Sequence, residues 1–133
     1  MSKDLLFSIH EKVKEKGFLD EELINYIDSL FSERIIDIIN VIERNFHKIT
    51  FNPSKRSIWT IPTSKDHERI YVIYPKLYCS CWDFYKRVVI EKKRLFCKHI
   101  LAQTICEALG NYDTVNLEDI EFQKYIEYLK LNF

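Results

Sequence analysis

Apolar positions in the first third of the chain recur with helical spacing. Leu5, Leu6, Ile9 and Val13 fall on one face, Ser2 or Asp4 is placed to cap the start, and Gly17 followed by Phe18 reads as a left-handed stop with a hydrophobic clasp. Asp20 then stands where an N-cap would, ahead of EELINYIDSLFSERIIDIINVIERN, in which Ile24, Ile27, Phe31, Ile35, Ile38 and Ile42 recur every three to four residues. Leu23, Tyr26, Leu30, Ile36 and Ile39 widen that stripe beyond one contact face. The pattern predicts a helix buried on two sides, or buried on one and offered to a partner on the other. In the second case Ile24, Ile27, Phe31, Ile35 and Ile38 are the candidate partner interface.

From Lys48 the period changes to two. Ile49 and Phe51 alternate with polar neighbours, Asn52-Pro53-Ser54 is turn chemistry, and SIWTI follows before Pro62, which together predict a hairpin. RIYVIY reads as a third strand stopped by Pro75, and LYC as a short fourth strand. WDFYKRVVIEK reads as a helical turn or two, CKHILAQTICEALG as a helix ended by Gly110-Asn111, and Asn116 as the cap of a last helix, with Asp119 as half of a capping box. The expectation is an α+β fold, a small antiparallel sheet flanked by helices. Residues 1–133 are read as one domain: N-terminal helices over 1–46, a strand region with its chemistry over 48–109, and a C-terminal helix over 116–133.

Composition narrows the class. At 133 residues and 47% hydrophobic, the chain can bury one core, and two glycines and three prolines leave little room for a linker. It has no apolar run of 18 residues and no secretory pattern, so the expectation is an intracellular protein with no membrane span, in which clustered cysteines bind metal rather than form disulfides. Net charge is zero, but Lys86, Arg87, Lys92, Lys93, Arg94 and Lys98 stand against Glu91 alone between residues 86 and 99. With Trp82, Phe84, Tyr85 and Phe96 interleaved, these six are candidate nucleic-acid contacts; the zero net charge argues instead for a solvated face.

Three of the four cysteines and one histidine fall in the order Cys79, Cys81, Cys97, His99. Three thiolates and an imidazole make a closed tetrahedral set, which is the structural form of a zinc site. In a regular strand Cys79 and Cys81 would sit about 7 Å apart, so the chain must curl after Tyr78. In a regular helix Cys97 and His99 would point about 200° apart, so Cys97 must lie at or before a helix start with His99 in the first turn. Cys106 lies seven residues past His99, about 10 Å along a helix, too far for the same ion. One structural zinc is expected. A full coordination shell, and no Gly-rich phosphate loop, GxSxG or HExxH, argue against an enzyme.

Cys79-x-Cys81, fifteen intervening residues, then Cys97-x-His99 resembles the SWIM zinc-finger signature, CxCx(n)CxH. A small chain with a helical front, ITFNPSKRSIWTI, then YCSC and LFCKHILA is similar to the SWIM subunit of the Shu complex, although Trp82-Asp83 stands where that family more often has a small residue or proline. The resemblance implies a SWIM finger joining a strand end to a helix start. It also implies a non-enzymatic nuclear role in homologous-recombination repair. There the subunit pairs with a RecA-like recombinase paralogue, and the complex promotes recombinase filaments on single-stranded DNA.

Overall fold

The computed structural model describes residues 2–30, 35–63 and 69–131. Helix α1 (Ser2–Lys16) buries Leu6, Ile9 and Val13, the face expected from their spacing, and ends at Gly17, whose φ of 80° is the left-handed stop. The clasp differs from expectation: Phe18 is exposed and Leu19 packs on the core instead. The Asp20 carboxylate accepts the Leu23 N–H at 2.8 Å and caps α2 (Glu21–Leu30). Helix α3 (Ile35–Ile42) follows; residues 31–34 between them, Phe31 included, lie outside the described residues.

The Leu23 N–H holds the Asp20 carboxyl below its ordinary range, with Lys16 at 3.2 Å adding to the effect. A depressed folded-state pKa stabilises above the unfolded value, and that contribution is lost as pH falls through the folded one. Asp20→Ala is expected to lower the melting temperature at pH 7. The gap from wild type should close as pH falls below 4, which thermal unfolding at a series of pH values would read.

Strands β1 (His47–Asn52), β2 (Arg56–Pro62), β3 (Ile70–Tyr74) and β4 (Tyr78–Cys79) pair antiparallel in sequence order, as the alternation predicts. A fifth strand, β5 (Asp113–Glu118), pairs parallel to β1, with His47 opposite Asp113 and Asn52 opposite Glu118, so the sheet is mixed, in the order β4-β3-β2-β1-β5. This corrects the expected helix over 116–133. Asn116 sits in the strand opposite Thr50, and the last helix, α5 (Phe122–Leu131), begins only after a 3₁₀ turn (Asp119–Glu121). Ladder pairing with β1 wins over a local cap. Asp119 does not complete a capping box; it accepts hydrogen bonds from the N–H and hydroxyl of Ser54 and ties this corner to the β1–β2 turn.

Both faces of the sheet are covered. Ile49, Phe51, Ile58 and Val72 form one cluster under Phe122, Tyr125 and Ile126 of α5. Trp59, Ile61 and Ile73 face the larger core, where α4 (Lys98–Leu109) lies against α1 and α3. Burial on both sides explains why consecutive residues Ile58 and Trp59 are both apolar and why every residue from Ile58 to Pro62 is buried. Every side chain of α4 from His99 to Cys106 is buried. That core also takes in Cys79, Cys81, Phe84, Phe96 and Cys97, so the segment between β4 and α4 is part of the main packing.

Candidate metal centre

Each ligand sits where a regular element stops. Cys79 is the last residue of β4, opposite Ile73. Ser80 stays tied to β3 by its N–H, which donates to the Val72 carbonyl at 3.0 Å, and by its hydroxyl, which accepts the Val72 N–H at 2.9 Å. The chain then curls. The Cys81 carbonyl accepts from Tyr85, and its sulfur accepts the Phe84 N–H at 3.3 Å. Cys97 is the N-cap of α4, extended at φ −88° and ψ 168°, and His99 lies in the first turn. This is the strand-end curl and helix start that the two spacings require.

The segment after the curl is a π-helix (Phe84–Ile90), not the α-helical turns expected; the Glu91 N–H closes an i→i+5 bond to Lys86 at 2.9 Å. Phe84 is buried and Val88 packs on the core, while Trp82, Tyr85 and Val89 face solvent.

The three sulfurs and one imidazole nitrogen all lie within 4.8 Å of one another, in four buried residues. A tetrahedral ion with bonds of about 2.0–2.3 Å brings its donors to about 3.3–3.8 Å, so the set already stands close to that arrangement. The charges point the same way. Hydrogen bonds from Cys79 and Cys97 hold the Cys81 thiol well below its usual range, while donating to Cys81 and Cys97, together with burial, pushes Cys79 up. Burial is the main cause that raises Cys97 to about 12. Three thiolates buried together need a cation among them. His99 Nδ1 is buried with no hydrogen-bond partner among the described residues, and a metal bound at that nitrogen would satisfy it. The residues fit one zinc held by Cys79, Cys81, Cys97 and His99. Among the described residues no other cluster of metal-binding side chains forms.

Cys106 is fully buried, apart from this group, and its thiol is pushed up to about 12 by burial alone. Cys106→Ala is expected to keep one zinc per chain, and metal analysis of the purified variant checks this.

Two neighbours of the site were not legible as such in the sequence. The Tyr71 ring lies 4.7 Å from that of His99. Asp83 pairs with Arg87 at 3.2 Å and Arg94 at 3.3 Å; its i,i+4 relation to Arg87 was the available signal. Of the six basic residues, Lys86, Lys92 and Lys93 are exposed, Arg87 and Arg94 close on Asp83, and Lys98 is half-buried. The helical stripe does not form one free face. Ile27 and Ile38 are 0% exposed, because α2 and α3 turn them into the core, and Ile24 and Ile35 are half-buried.

A buried Cys₃His group that joins the end of a strand to the start of a helix, in the order CxC then CxH, has the ligand order and placement of a SWIM-type zinc finger. The chain is 26% identical over 124 residues to "Zinc finger SWIM domain-containing protein 7 homolog" of Dictyostelium discoideum, covering 92% of this chain and 78% of that one. It is 24% identical over 117 residues to "Zinc finger SWIM domain-containing protein 7" of Mus musculus, covering 87% and 76%. No family model and no solved structure matches the chain. No helix among the described residues is long and apolar enough to cross a membrane.

Proposed function

We propose that this chain is a non-enzymatic zinc-binding adaptor of a nuclear homologous-recombination repair complex. It pairs with a RecA-like recombinase paralogue and promotes recombinase filaments on single-stranded DNA. The observation that carries the reading is the closed ligand group: four protein side chains fill the four positions zinc ordinarily uses, so the ion holds structure and has no place for a substrate. The choice of recombination rests on resemblance to the SWIM subunit of the Shu complex and agrees with relatives named for the same finger.

The test is to purify the tagged chain from its own cells and analyse metal and co-purifying proteins together. One zinc per chain with a RecA-like ATPase subunit in comparable amount supports the reading; a chain recovered with neither contradicts it. A second reading, direct nucleic-acid binding by the finger, is favoured by the exposed Trp82–Tyr85 ring pair beside Lys86. It requires salt-dependent binding of the isolated chain to single-stranded DNA that is lost when Lys86, Lys92 and Lys93 are reversed to glutamate.

A further inference from the structure

Many of the large apolar side chains that solvent reaches gather on the finger. Trp82 is 69% exposed, Ile90 59% and Leu95 61%, and Tyr85 and Val89 are exposed beside them. The Trp82 and Tyr85 rings lie 5.6 Å apart. An i→i+5 ladder brings residues four and five apart onto one side, so Tyr85, Val89 and Ile90 share a face, away from Phe84 and Val88, which close on the core. The loop beyond folds back along this helix, with the N–H groups of Lys93 and Arg94 both donating to the Arg87 carbonyl at 2.9 and 3.3 Å, and it carries Leu95. A single exposed leucine means little, but an aromatic and aliphatic group of this size, held on a segment anchored by two zinc ligands, is how interaction surfaces are built.

The charge around the group sets the partner. Lys86, Lys92 and Lys93 are exposed at its edge, whereas Arg87 and Arg94 are drawn to Asp83. We propose that this face docks a protein partner presenting apolar side chains between carboxylates. This rests on the adaptor reading and names the surface through which the adaptor acts. A protein fits better than single-stranded nucleic acid: bases would stack on Trp82 and Tyr85, but Val89, Ile90 and Leu95 gain only from aliphatic packing. The surface is also distinct from the Ile24–Ile38 stripe, of which Ile27 and Ile38 are already used inside the molecule.

The test reconstitutes the chain with a RecA-like paralogue subunit from the same genome and compares hydrogen exchange, free and bound. Expected are slower exchange over residues 82–95 and binding about 30-fold weaker or more for Val89→Glu and for Trp82→Glu, the loss of one buried anchor. Both variants should keep one zinc per chain and an unshifted melting temperature, since both side chains already face water. A complex that forms with unchanged exchange over 82–95 overturns the surface and leaves the adaptor reading standing. Failure to form any complex overturns the reading and the surface together. If the two variants instead lose binding to a labelled oligothymidine, the occupant is nucleic acid and the proposal is wrong.

Discussion

Cys97→Ala is expected to lose zinc and with it the folded state of the C-terminal half. Cys97 is 1% exposed, caps α4 and belongs to the same core as Ile100, Leu101 and Ile105. Structural zinc contributes about 10–16 kcal/mol at neutral pH, against about 5–15 kcal/mol for the whole stability of an ordinary domain. Strong chelation of the wild type should therefore act like the substitution. Circular dichroism should show lost helix and no cooperative melting, and metal analysis should show no zinc. Acid should do the same as thiolates and imidazole take up protons in competition with the ion. A Cys97→Ala protein that melted at the wild-type temperature would mean the finger is not holding the fold.

The second large effect lies away from the metal. Trp59 is among the largest fully buried side chains; its ring meets Tyr112 at 4.6 Å and Phe46 at 6.3 Å, where the sheet, the turn after α3 and the chain leaving α4 converge. Trp59→Ala removes those contacts and leaves a cavity, costing about 3–5 kcal/mol. The melting temperature should fall by roughly 10–20 °C. Because the ring contacts are not with ligands, zinc should remain at one per chain below the transition. A destabilised protein that keeps its metal would separate core packing from metal binding, and simultaneous loss of zinc at low temperature would show them coupled.

How much of this could be read beforehand varied with the range of the interaction. Ligand spacing alone required a curl after Tyr78 and a helix start at Cys97, and both are present, because two residues sharing an ion constrain the backbone locally. The Asp20 cap and the Gly17 stop are local too. β5 is not legible in the sequence because DTVNLE has only Val115 and Leu117 as apolar alternation, and its strand conformation comes from pairing with β1, more than sixty residues earlier. Helical turns over WDFYKRVVIEK are legible, but not their π form, for a related reason. Phe84 and Val88 look the same in α-helical periodicity, and only the bond from Glu91 to Lys86 distinguishes them. The width of the apolar stripe left its role open between core and partner surface. Ile27 and Ile38 are in the core because helices on that face of the sheet bury one another, and the exposed apolar group lies on the finger.

The closed coordination shell is the claim on which the non-enzymatic reading depends. Zinc K-edge absorption of the purified, metal-loaded chain addresses it directly: three sulfur neighbours and one nitrogen, with a spectrum unchanged by added cyanide or azide, is the expected result. An oxygen neighbour in place of a sulfur or the imidazole, or a spectrum that shifts with either anion, would reveal an open position and contradict a purely structural zinc.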